Sequence, residues 1–130
     1  MNTLIENFSE IHKNELTTKE GYLVQRSWLE IFSASVKEKT GAYVYKGFPW
    51  HCFSYEFYPC TRGEKALTKY AHQEIETYYV FDENCSVCWR CESQSYPDLR
   101  LAGFDEAYVF PLSKNWTMVF SHYDLFFAIS

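Results

Sequence analysis

The apolar residues of this chain change period near Thr77, and the change divides it into a helical part and a sheet part. Before it, Val24, Trp28, Ile31, Phe32 and Val36 recur at three- and four-residue steps, the spacing of one helical face. After it the apolar residues alternate, as they do in strands. The expected order is helix, helix, strand, helix, then four or five strands. This predicts an α+β fold: a single antiparallel sheet of four to six strands with two or three helices packed on one face. At 130 residues the chain makes one domain, residues 1–130.

Local signals set the boundaries. Thr17 followed by Glu20 reads as a capping box, Lys37 and Lys39 suit a last helical turn, and Gly41 suits the left-handed position beyond it, so a helix is expected over 18–39. Residues 1–16 place Leu4, Ile5, Phe8 and Ile11 on one face of a short, loosely docked helix. Pro49 keeps Phe48 out of helical geometry, and the aromatic run 50–58 reads as a strand that Pro59 ends. Thr61 and Glu64 read as a second capping box, opening a helix over 62–76. Residues 78–81 and 85–92 form a first hairpin, 107–110 and 116–122 a second, and 125–129 a candidate edge strand. Trp28, Ile31, Phe32, Phe53, Leu67, Val87 and Trp89 are expected to share one core.

Eleven Phe, eleven Tyr and four Trp make the chain 20% aromatic, enough to fill a core and still furnish a recognition surface. The net charge of -5 is uneven: residues 1–65 carry 8 basic and 8 acidic side chains, and residues 66–130 carry 4 and 9. No cluster of Lys and Arg exceeds the pair Lys37 and Lys39, which argues against nucleic acid and favours a basic protein partner. The start lacks a basic segment followed by an apolar run, and stretches such as 125–129 fall far short of the roughly 18 residues of a membrane helix. Five cysteines, an odd number, point to free thiols and a cytoplasmic setting.

Cys85, Cys88 and Cys91 tempt a metal reading, but on a strand the first and last share one face and Cys88 the other. No metal and no cofactor is expected. His12, His51, His72 and His122 have no ligand spacing, and no glycine-flanked serine marks a nucleophile, so no catalytic residue is assigned. His51 and His122 stand out because each lies on an expected strand beside aromatic residues.

Trp28 and Phe32, the run Trp50-His51-Cys52-Phe53-Ser54-Tyr55-Glu56, Pro59-Cys60, Gly63-Glu64, and the late Trp116-Thr117 with His122 resemble a family of small bacterial proteins known only as a domain of unknown function. The resemblance spans residues 22–125; Tyr123 stands where that pattern has an acidic residue, and Asp124-Leu125-Phe126-Phe127 replaces its Gly-Pro-Tyr-Phe ending. It implies fold, size and bacterial origin, and no activity.

Two functions are weighed. The first is a non-catalytic binding module, immunity-like or regulatory, that meets a protein partner through Trp50, His51, Tyr55, Glu64, Trp116 and His122. The alternative is a small enzyme or ligand-binding protein whose pocket is bordered by His51 and His122.

Overall fold

The computed structural model describes residues 10–83, 87–102 and 106–130, without the side chains of 101 and 102. Seven strands form one sheet in the order β1-β4-β3-β5-β6-β7-β2, every neighbouring pair antiparallel. They are β1 (His12–Glu15), β2 (Thr61–Arg62), β3 (Tyr78–Asp82), β4 (Cys88–Glu92), β5 (Ala107–Pro111), β6 (Trp116–Phe120) and β7 (Leu125–Ile129). The helices are α1 (Thr18–Phe32), α2 (Ala34–Thr40), α3 (His51–Ser54) and α4 (Glu64–Ala71), with a 3-10 turn at Leu99–Ala102. The α+β class and the single antiparallel sheet are as expected; the strands number seven rather than four to six.

Register explains how alternation builds two cores. Trp89, Val80, Val109, Met118 and Phe127 pair in one row across five strands, and all face α4. The next row, Cys88, Phe81, Tyr108, Val119 and Phe126, points the other way, toward α1, α2 and α3. Both faces of the sheet are therefore covered, which corrects the expectation of helices on one face. The expected single cluster splits: Trp28, Phe32 and Phe53 are buried on the α1 side with Ile31 against them, whereas Trp89 belongs to the α4 side with Leu67 and Val87. Inside the α1-side core the Trp28 indole donates to Thr117 Oγ1 at 2.8 Å, and that hydroxyl donates to the Val109 carbonyl at 2.9 Å, so neither polar group is orphaned.

The Thr17–Glu20 capping box forms, with the Glu20 amide donating to Thr17 Oγ1 at 3.2 Å and the Thr17 amide to Glu20 Oε1 at 2.9 Å. The predicted helix breaks at Ser33, whose φ of -113° and ψ of 13° end α1 and start α2. Gly41 closes α2 at φ 88°, the left-handed position its lack of a side chain allows. Residues 12–15 are an edge strand rather than helix, because pairing with β4 satisfies their backbone; residues 1–9 of that expected helix lie outside the described residues. The second capping box does not form. Thr61 and Arg62 pair with β7, and Gly63, at φ 69°, begins α4 without a side-chain cap. Helix α4 ends at Ala71 rather than 76, and Cys85 lies outside the described residues. Cys88 and Cys91 face opposite cores. Among the described residues no helix is long and apolar enough to cross a membrane.

Candidate functional site

The run 50–58, expected as a strand, makes the single helical turn α3. Pro49 sits where its fixed φ and missing N–H suit a helix start, and its carbonyl accepts the Cys52 amide at 3.3 Å. The Trp50 carbonyl takes the Phe53 amide at 2.9 Å and the His51 carbonyl takes the Tyr55 amide at 3.1 Å, while Glu56, at φ 60°, turns the chain out. In helical geometry residues three and four apart share a face. Cys52 and Phe53 are thereby buried against the sheet, and His51, Ser54 and Tyr55 point outward together. The far end of α3 is held by Arg62 from β2, whose Nη2 donates to the Phe53 and Ser54 carbonyls at 2.9 and 3.1 Å.

A second wall comes from the turn between β6 and β7. Ser121 Oγ donates to the Asp124 carbonyl at 2.6 Å and accepts the Tyr123 and Asp124 amides at 3.2 and 2.9 Å, folding residues 121–124 tightly. The alternation of β6 stops at Phe120. His122 therefore leaves the face of Trp116, Met118 and Phe120 and packs its ring against Phe48 and Trp50, centroids 5.6 Å from each. The strand expected over 116–122 thus ends at Phe120, and the turn carries His122 off it. Trp50, itself buried, stacks on Phe126 below and lies parallel to the exposed Tyr123, with centroids 5.8 and 6.0 Å away.

Between these walls lies a cavity of about 400 Å³ lined by Phe48, Trp50, His51, Ser54, Tyr55, His122 and Tyr123. Both imidazoles use Nδ1 within the protein. His51 Nδ1 is 2.7 Å from Ser54 Oγ, and His122 Nδ1 makes a short hydrogen bond to Glu106 Oε2, which also accepts the His122 amide at 3.0 Å. Glu106 is only 6% exposed, so a buried carboxylate orients the ring of an exposed histidine. Nε2 of each ring has no hydrogen-bond partner among the described residues. Burial, reinforced by the positive charge of Lys46 and by His122, lowers the His51 pKa from its usual 6.5, so this ring is neutral near pH 7. Burial raises the pKa values of the thiols of Cys52 and Cys60, so neither is prepared as a nucleophile.

Four of the six residues singled out from sequence, Trp50, His51, Tyr55 and His122, border this cavity. The other two do not. Trp116 is buried on the opposite side of the sheet beside Tyr70, Tyr96 and Phe127, because β6 alternation points it there. Glu64, in the first turn of α4, accepts from Arg100 Nη1 at 3.1 Å. Ser54, Phe48, Tyr123 and Glu106 were not anticipated. On a strand Ser54 would lie on the face opposite His51, whereas on the helical turn the three-residue spacing brings its hydroxyl to the imidazole. Glu106 left one usable trace: Ala107 pairs with Phe120, so one further step of that register sets Glu106 opposite Ser121, beside His122.

A family model described as domain of unknown function DUF4275 matches residues 3–128, and the chain belongs to that family. No curated protein and no solved structure matches it.

Proposed function

We propose that this member of the DUF4275 family is a binding protein that holds a small aromatic ligand in the cleft between α3 and the β6–β7 turn. The observation that carries the reading is the convergence of two differently supported imidazoles, each with Nδ1 engaged, on one aromatic-walled cavity of about 400 Å³. That volume falls in the range of small-molecule sites, roughly 300–1,000 Å³, where apolar walls supply affinity and a few fixed polar groups supply orientation. Phe48, Trp50, Tyr55 and Tyr123 supply the walls, and Nε2 of His51 and His122 supply the polar contacts. The buried thiols of Cys52, Cys88 and Cys91 suit a reducing, cytoplasmic setting.

A second reading, general acid–base catalysis on the bound ligand, is favoured by one feature. The buried Glu106 carboxylate on His122 Nδ1 fixes the ring so that Nε2 can act on a proton, the arrangement of many catalytic histidines. Binding comes first in either case.

Ligand-observed saturation-transfer NMR with a set of one- and two-ring aromatic fragments tests the proposal. His51→Ala and His122→Ala should each abolish the transfer seen with the native protein, whereas His72→Ala, exposed just beyond α4, should not. Melts run beside them should show each variant folded and shifted by less than about 1–2 kcal/mol. Fragments that bind all four proteins alike, or none that bind the native chain, would refute the reading.

A further inference from the structure

The turn that carries Phe48 to the cleft has an unusual residue in it. Lys46 and Gly47 both have positive φ, 53° and 88°, and the Phe48 amide donates back to the Tyr45 carbonyl at 3.4 Å. That sign pair belongs to a type I′ turn, whose first central position favours Asn, Asp or Gly. A lysine there is strained, and its side chain lies over two aromatic rings. The ammonium lies 5.4 Å from the centroid of Tyr45 and 5.1 Å from that of Tyr55, and the same Tyr55 ring lies 5.0 Å from His51. Tyr55 thus sits between a cation and an imidazole.

Charge around the cleft is one-sided. The protein as a whole carries -5, yet among the described residues no carboxylate lines the cavity. Glu106 is occupied by the His122 ring and amide, and Asp124 Oδ1 accepts the Leu125 amide at 2.8 Å. Among the described residues Lys46 makes no ion pair. The groups offered to a ligand here are the Lys46 ammonium beside Tyr55, the Tyr55 hydroxyl and Nε2 of the two imidazoles, each donor or acceptor according to its tautomer.

We infer that the ligand of this cleft carries an anionic group, a carboxylate or a phosphate, seated at the rim beside Tyr55 within reach of the Lys46 ammonium, with its ring against the aromatic walls. This rests on the cleft being the binding site proposed above. The same lysine charge that repels a proton from His51 attracts the anion. Because Tyr55 is both a wall of the cavity and the ring beneath the Lys46 ammonium, the ligand's anion lies close to its ring, as in an aromatic acid or an aryl phosphate.

Matched probes separate the inference from the reading it rests on. Benzoate and phenyl phosphate are titrated against their neutral counterparts benzamide and benzyl alcohol, with binding followed through the ring resonances of His51 and His122. At low salt an anion should bind at least tenfold more tightly than its neutral partner, and the stronger of the two anions identifies the group as carboxylate or phosphate. Lys46→Gln should erase that preference and leave the neutral probes unchanged, and Lys46→Arg should keep it. Equal binding of anionic and neutral probes, or a preference that survives Lys46→Gln, would overturn the anionic assignment while leaving the cleft intact as a site. Failure of all four probes to shift either ring would count against both.

Discussion

The His51 ring is the residue whose titration reports most on the site, because burial, Lys46 and His122 all push its pKa down. A folded-state value below the unfolded one means that the folded protein binds fewer protons, so the stability due to the neutral ring is present above pH 6.5 and is lost as the pH falls through the folded value. In NMR titrations His51 should titrate below the ordinary value, and Lys46→Gln or His122→Gln should each move it upward. A His51 that titrates at its ordinary value and ignores both substitutions would place it outside the cleft. The thiols give the opposite sign. Burial pushes Cys91 up to about 12, so the stability tied to its protonated form is fully present below about 9 and declines as the pH rises toward 12. A thiol reagent at pH 8 should therefore leave Cys52 and Cys91 untouched until denaturant is added, and rapid labelling of either in the folded protein would contradict the burial described.

At the scale of the element, α3 decides whether there is a site, and Arg62 holds it. Arg62→Ala removes the donor to two carbonyls at the end of α3 and should cost about 1–3 kcal/mol in urea unfolding while weakening ligand binding, since His51 and Ser54 ride on that turn. Unchanged stability and binding would show that α3 holds itself. This element was also the least legible in sequence. Trp50, Phe53, Tyr55 and Phe57 have strand propensity, but that preference measures fit to a pleated surface, and it is β2 rather than this run that pairs with β7. Pro49 carried the helix-start signal all along. The capping box of α1 and the left-handed Gly41 could be read because their hydrogen bonds are local. The break at Ser33 could not, since helical spacing continues through it. His122 stood out on an expected strand beside aromatic residues, although that strand ends at Phe120; Glu106 stayed hidden because its role depends on a cross-strand register.

For the whole molecule, the sheet separates two cores, and that division follows from alternation once both faces are covered. Phe53→Ala on one face should cost about 3–5 kcal/mol and Met118→Ala on the other about 2–5. Because they belong to separate clusters on opposite faces of the sheet, the double variant should lose their sum to within about 0.5 kcal/mol, read from urea midpoints. Strong non-additivity would argue for one continuous core. The same architecture brings α3 and the β6–β7 turn to one edge of the α1-side core, and so brings together two histidines 71 positions apart in the chain. The most direct measurement of that claim is a spectrum of the Cε1–H resonances of all four histidines during titration with a fragment that binds. The account predicts that His51 and His122 shift together with one saturation curve while His12, on the β1 edge, and His72, beyond α4, stay still. A fragment that moves one of the pair without the other, or moves His12 and His72 as much, would contradict it.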